Sequence, residues 1–137
     1  MEDNGTIRVS KTGATRDSAV GKIQPVKYFS PRVMRVRSEY MLKHSVQRDG
    51  SVRAGDNWQK GFGQTPKETK DICEDSAGRH FLDMWLEHRG FESRDGIVEA
   101  ICGLMFNCEA YLEAYCVEHN IKTDDDIKNM FKDRGEV

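Results

Sequence analysis

The sequence lacks any long hydrophobic run. No apolar stretch approaches the roughly 18 residues that a membrane-spanning helix needs, and the polar N-terminus has no hydrophobic core of a secretion signal. The formal net charge is only −2, so no overall positive field attracts nucleic acid. These absences predict a cytoplasmic protein that has no membrane partner and reads no nucleic-acid sequence.

Several catalytic and cofactor signatures are also missing. The chain has no Walker loop, no Rossmann glycine fingerprint and no serine nucleophile elbow. Its cysteines form no C-x-x-C pair, and each falls at an apolar position of a predicted helix. We therefore expect buried, reduced thiols rather than zinc ligands, disulfides or nucleophiles at Cys73, Cys102, Cys108 and Cys116.

What remains predicts an all-α protein, a small helical bundle with an irregular arm. Residues 1–29 are polar and rich in glycine, serine and threonine, which is typical of an irregular N-terminal arm. Residues 30–137 show helical periodicity and are predicted to form one helical domain. Charged residues make up 32% of the chain, a high share for a compact monomer. We therefore expect apolar surface to be buried between the subunits of a homo-oligomer.

Capping signals and periodicity predict four helices and no strand. With their caps, the expected spans are 30–44, 65–90, 95–115 and 123–132. Between the first two lies a long, glycine-rich loop, residues 45–64, in which Asp49-Gly50 favours a short hairpin turn. A loop of this length in a small domain is usually functional or disordered.

The third predicted helix has two contrasting faces. It is expected to be the central helix, and its strong apolar stripe consists of Ile97, Ile101, Leu104, Met105, Cys108, Tyr111, Leu112 and Tyr115. Away from that stripe lie Glu99, Gly103, Asn107, Ala110 and Ala114. Small residues on such a face let another helix, a partner subunit or a ligand approach the backbone closely.

Polar residues on the second helix and in the loop are candidates for a site. His80 lies within an apolar stripe and Asp83 at its edge, so both can reach one point; alternatively, the carboxylate only satisfies a buried histidine. In the loop, Trp58 offers a stacking surface and Lys60 a cation for phosphate, although Trp58 could instead anchor the loop to the core. Lys22 in the arm belongs to a second candidate phosphate patch with Arg16 and Asp17, which is otherwise a solvated segment.

Four stretches in this order resemble a known family. They are Thr15-Arg16-Asp17…Gly21-Lys22, Asp56-Asn57-Trp58-Gln59-Lys60-Gly61, Arg79-His80-Phe81-Leu82-Asp83 and Glu99…Asn107. The pattern resembles the N-terminal domain assigned to dATP/dGTP diphosphohydrolases of phages and prophages. Those proteins are grouped with the MazG-like, all-α nucleoside triphosphate pyrophosphohydrolases.

The resemblance implies an oligomeric helical bundle that hydrolyses a purine deoxynucleoside triphosphate with Mg²⁺ or Mn²⁺, releasing the monophosphate and pyrophosphate. It implies Asp83 and Glu99 as metal ligands and, with His80, as catalytic residues. It further implies that the nucleotide is bound by Lys22, Trp58, Lys60, Arg79 and Asn107.

The chain departs from that superfamily in its acids. The superfamily places four acids on two helices as E-x-x-E and E-x-x-D, whereas this chain has H-x-x-D and a lone Glu99. Fewer carboxylates hold Mg²⁺ less firmly. Two other functions therefore stay open: a non-catalytic protein that sequesters a nucleotide, such as a host immune signal, and a structural or interaction protein whose polar seam fixes helix register.

Overall fold

A computed structural model describes residues 7–9, 13, 15–18 and 20–132 of the chain. The chain divides into two compact units, Met1–Ser38 and Glu39–Val137, and the division falls inside a helix. The boundary near residue 30 that the composition suggests stays a prediction. The side chains of Arg16 and Asp17, which belong to the candidate phosphate patch, lie outside the described part of the chain.

The first unit contains a small strand pair and a single helical turn. Strand β1 (Ile7–Val9) pairs antiparallel with β2 (Thr15–Asp17), and α1 (Pro25–Tyr28) follows. The expectation of no strand was therefore wrong at this point. Strands of three residues are too short to produce a periodic signal in the sequence. The fold is nevertheless all-α, since the long elements are helices.

Helix α2 is Pro31–Ser45, α3 is Pro66–His88, α4 is Ile97–Glu118 and α5 is Asp124–Asn129. Helices α2, α3 and α5 begin where the capping signals predict, whereas α4 begins at Ile97, two residues after the predicted start at Asp95. The Ser30 hydroxyl accepts from the Val33 N–H at 3.2 Å, and the Thr65 hydroxyl accepts from the Glu68 N–H at 3.1 Å. Each contact satisfies an N–H that the first helical turn leaves without a partner. None of the described helices is both long and apolar enough to span a bilayer.

The core of the second unit is the contact between α3 and α4, which residues 89–96 connect. Helix α4 meets α3 through the small-residue face that the sequence singled out, where Ala100, Gly103, Asn107, Ala110 and Ala114 are buried. Small side chains permit this because they let two helix backbones approach closely.

Much of the large apolar stripe of α4 is left exposed by the rest of this chain. Ile97, Tyr111 and Leu112 are 41%, 40% and 55% exposed, and Cys108 is also exposed. The sequence shows that α4 is apolar around most of its circumference, but periodicity alone cannot tell which strip meets the neighbouring helix. The prediction of buried thiols holds for Cys73 and Cys102, and Cys116 is half-buried.

The loop between α2 and α3 is ordered by local contacts. Val46 pairs with Val52 around the predicted turn, and the Gln47 N–H donates to the Ser51 carbonyl at 2.8 Å. A 3-10 helix, Asn57–Lys60, then carries Trp58. The Phe62 N–H donates to the Thr69 hydroxyl at 2.8 Å, which ties the end of the loop to the first turns of α3.

Candidate functional site

A cavity of about 580 Å³ lies within the second unit, bordered by the end of α2, the loop, α3 and α4. We call it the main cavity, to distinguish it from a smaller one beside Lys60. The volume of the main cavity falls in the usual range for small-molecule sites, about 300–1,000 Å³. Four of the residues predicted to bind nucleotide or act in catalysis line it together: Trp58, Arg79, His80 and Asn107. Segments far apart in the sequence therefore meet at one place.

The cavity wall combines aromatic rings with basic groups. Its aromatic residues are Tyr40, Trp58, Phe62 and Phe106. Trp58 and Phe62 each meet the Phe106 ring edge to face, with centroids 5.8 Å and 6.1 Å away. Both rings are half-buried, so Trp58 does anchor the loop, as the structural alternative predicts. It also presents aromatic surface to the cavity.

The charge of the wall is of one sign. Among the described residues that line the cavity are Arg53, Arg79, His44 and His80, and none of these lining residues is a carboxylate. The Arg53 guanidinium donates to the His44 carbonyl at 3.1 Å, which holds it beside the end of α2. Arg79 donates to Asp75 on the same helix at 2.6 Å. The wall is therefore suited to an anion.

His80 is set into the close contact between the two main helices. A Cβ added to Gly103 would lie 2.5–2.6 Å from three atoms of the imidazole, so the ring occupies the space that a side chain at Gly103 would fill. Burial of the ring lowers the pKa of His80, and the positive charge of Arg94 lowers it further. The imidazole is therefore neutral at neutral pH and offers one donor and one acceptor nitrogen.

This pKa predicts how stability depends on pH. The unfolded chain takes up a proton on His80 near its ordinary pKa of 6.5, whereas the folded chain resists it. The free energy of unfolding should therefore fall as the pH drops below about 6.5, until the folded pKa is passed. Urea denaturation at about pH 7.5 and about pH 5.5 measures the loss. This loss of unfolding free energy should be smaller in His80→Gln but unchanged in His88→Gln, a control at an exposed histidine. Equal losses in the two variants would contradict the prediction.

The two predicted metal ligands are each held by cations of this chain. Asp83, which is 5% exposed, accepts from Arg94 Nε at 3.0 Å and Nη2 at 2.6 Å. Glu99 pairs with Lys43 and accepts from His44 Nε2 at 2.9 Å. Hydrogen bonding to Lys43 lowers the pKa of Glu99, and His44 adds to this.

As arranged, these carboxylates do not fit a Mg²⁺ site. Mg²⁺ requires oxygen ligands in octahedral geometry, so it would have to compete for these carboxylate oxygens with the cationic side chains that are already bound to them. Asp83 Oδ2 already accepts from Arg94, and the two oxygens of Glu99 already accept from Lys43 and His44. Within the described parts of the chain, no three His, Cys, Asp or Glu side chains are grouped to hold a metal. The roles of Asp83 and Glu99 as ligands and catalysts remain predictions.

Lys22 and Lys60, also predicted to bind the nucleotide, are not among the residues that line this cavity. Lys60 lines a second cavity of about 160 Å³ together with Trp58 and the start of α3. Lys22 lies in the first unit, and its role in binding phosphate stays a prediction. Asn107 lines the main cavity, and its amide donates to the Gly103 carbonyl of its own helix at 2.7 Å.

The sequence did not single out several residues of the wall. Arg53 follows the predicted turn, and its basic side chain in a glycine-rich loop is the signal that could have identified it. Tyr40 and Phe106 occupy apolar positions of predicted helices, which gave no signal of a site. Comparison of the chain with protein-family models, curated proteins and solved structures finds no match to any of them. The functional argument therefore rests on the geometry of the cavity.

Proposed function

We propose that the chain binds a nucleotide in the main cavity. The observation that carries this proposal is the composition of the wall, in which aromatic rings and two arginines surround a space without carboxylates. Nucleobases stack on aromatic side chains, and guanidinium groups bind phosphate through paired hydrogen bonds. A purine nucleotide would use both kinds of surface.

The individual residues have complementary roles in this proposal. Trp58 and its aromatic neighbours receive the base, and the neutral His80 imidazole can both donate to and accept from a base edge. Arg53 and Arg79 face the anionic part of the ligand. Asn107 offers its side-chain amide oxygen and its second N–H, since one amide N–H already donates to the Gly103 carbonyl.

Binding without turnover is favoured over hydrolysis. A metal-dependent pyrophosphohydrolase of a purine deoxynucleoside triphosphate needs carboxylates that can take up Mg²⁺ or Mn²⁺. Here Asp83 and Glu99 would first have to release Arg94, Lys43 and His44. Hydrolysis is the second candidate because Glu99 and His44 are hydrogen-bonded at the edge of the cavity.

One experiment tests both candidates. The protein is incubated with purine and pyrimidine nucleotides, each with EDTA, Mg²⁺ or Mn²⁺, and mass spectrometry detects retained ligand and products. A purine nucleotide retained intact supports binding. Release of monophosphate and pyrophosphate only with metal supports hydrolysis, and neither retention nor release contradicts the proposed function.

Trp58→Ala should weaken binding of the retained nucleotide by about 1–3 kcal/mol, the usual scale for a lost stacking contact. Calorimetric titration measures the affinity, and a thermal melt of the same variant separates binding from the anchoring role of Trp58. Phe91→Ala is the control, because Phe91 is an aromatic residue that is 63% exposed in the connection between α3 and α4 and does not line the cavity. A destabilised Trp58→Ala protein with unchanged affinity would contradict the ligand role.

We also propose that the chain forms a homo-oligomer through the exposed faces of α3 and α4. The fully or nearly buried apolar residues of the pair are small. By contrast, several large apolar side chains are 40–55% exposed: Phe81, Leu82 and Trp85 on α3, and Ile97, Tyr111 and Leu112 on α4. Large exposed apolar patches mark interaction surfaces. Light scattering at micromolar concentration should give a multiple of the monomer mass; a monomer mass would contradict this proposal.

A further inference from the structure

The main cavity also limits the charge of the ligand that it can hold. This inference rests on the proposed nucleotide binding and extends it to the number of phosphate groups. The permanent cations of the wall are Arg53 and Arg79, and no carboxylate accompanies them among the lining residues. The wall therefore has two permanent positive charges to offer a ligand, of which the one on Arg79 is shared with Asp75.

The two histidines of the wall add little to that charge. His44 Nε2 is hydrogen-bonded to Glu99 at 2.9 Å, so any positive charge on it faces a carboxylate of the chain. His80 is half-buried between the helices beside Gly103, where desolvation and the charge of Arg94 lower its pKa and favour the neutral ring at neutral pH. Lys43 also pairs with Glu99 and does not line the cavity.

Both arginines retain donors for a ligand. A guanidinium has five N–H donors in one plane, which suits bidentate binding of phosphate oxygens. Within the described residues, one donor group of Arg53 bonds to the His44 carbonyl and one of Arg79 bonds to Asp75. The Arg79–Asp75 pair is exposed on both sides, and such surface pairs are weak enough for a phosphate to compete with them.

A single phosphate matches this supply of charge. A phosphomonoester carries about −1.5 to −2 at neutral pH, and a diester carries about one negative charge. A triphosphate carries more negative charge than two guanidinium groups neutralise, and proteins usually bind it together with Mg²⁺. The nearby carboxylates, Asp83 and Glu99, are already paired with cations of the chain.

We infer that the cavity binds a nucleotide bearing a single phosphate group, which Arg53 and Arg79 hold without a metal ion. Phosphate monoesters and phosphate diesters share this chemistry, and a binding experiment distinguishes between them.

Equilibrium dialysis of the full chain in EDTA tests the inference with dAMP, dGMP, 3′,5′-cyclic AMP and dATP. At least one single-phosphate nucleotide should bind about tenfold or more tightly than dATP, and added Mg²⁺ should leave its affinity unchanged. Tightest binding of dATP, or a requirement for Mg²⁺, overturns the inference but leaves nucleotide binding standing. No binding of any nucleotide overturns the proposed function itself.

Variants of the two arginines provide a second test of the inference. Arg79→Gln should weaken binding of the best single-phosphate nucleotide about tenfold, whereas binding of the uncharged nucleoside should be unchanged. Arg53→Gln should do the same, and Arg53→Lys, which keeps the charge but loses the planar donor pair, should recover only part of the affinity. Arg48→Gln is the matched control because Arg48 is exposed in the same loop and does not line the cavity. Equal affinities in all variants would overturn the inference.

Discussion

Replacing Gly103 with alanine is expected to destabilise the second unit by about 1–3 kcal/mol, the usual cost of adding a methyl group to a packed interior. The new Cβ would lie 2.5 Å from Cε1 and 2.6 Å from Nδ1 and Nε2 of His80. Real atoms do not approach so closely, so either the imidazole or the helix has to move. Urea denaturation at neutral pH measures the change in the free energy of unfolding.

Gly78 provides the matched control for this substitution. It also lies inside a long helix, α3, but a Cβ added there would meet nothing within 4 Å. Gly78→Ala should therefore stabilise the protein by roughly 0.5–1 kcal/mol, the ordinary gain of replacing glycine with alanine within a helix. The two substitutions are chemically identical, so their opposite signs isolate the contact with His80.

A double variant identifies the atoms responsible. In His80→Ala the ring is absent, and a further Gly103→Ala change should then cost much less than it does in the original protein. An equal cost in both backgrounds, or a Gly103→Ala protein as stable as Gly78→Ala, would contradict the close contact. Weakened nucleotide binding in Gly103→Ala would additionally support the role of His80 in the cavity wall.

The starts of three helices could be predicted from the sequence, but the face of α4 that packs against α3 could not. Helix starts are encoded locally, and the residues that cap α2, α3 and α5 were read correctly from Ser30, Thr65 and Thr123. The choice of face on α4 is not local, because both faces are free of charge over most of their length. Only packing against α3 decides it, and packing selects the strip with Gly103, Ala110 and Ala114.

The cavity shows the same division between local and non-local information. Trp58, Arg79, His80 and Asn107 were identified as candidates and do line one space. The partners of Asp83 and Glu99 were not foreseen, because Arg94 lies in the connection before α4, and Lys43 and His44 lie at the end of α2. A charge in a sequence does not show which opposite charge will reach it in the fold, and here that partner decides whether a carboxylate can bind metal.

Arg94→Met is expected to cost roughly 1–3 kcal/mol, because it leaves a buried carboxylate without its two charge-assisted donors. Asp83 is 5% exposed, and the Arg94 side chain is 57% exposed. The reverse change, Asp83→Asn, should therefore cost less, since water can solvate the guanidinium that is released. Thermal or urea denaturation of both variants measures this asymmetry, and Arg89→Met, at an exposed arginine near the end of α3, is the control.

Removing both charges tests whether the pair is structural or belongs to a metal site. Asp83→Leu combined with Arg94→Met should be close to the original stability, because a buried ion pair replaced by apolar groups of similar size often costs little. Mg²⁺ should raise the melting temperature of neither the original protein nor Asp83→Asn, since Asp83 Oδ2 already accepts both hydrogen bonds from Arg94 and a metal ion would have to compete with that guanidinium. A Mg²⁺-dependent rise that Asp83→Asn abolishes would contradict this assignment and restore Asp83 as a metal ligand. In that case Arg94 would be the residue that Mg²⁺ displaces, and Arg94→Met would bind Mg²⁺ more tightly than the original protein.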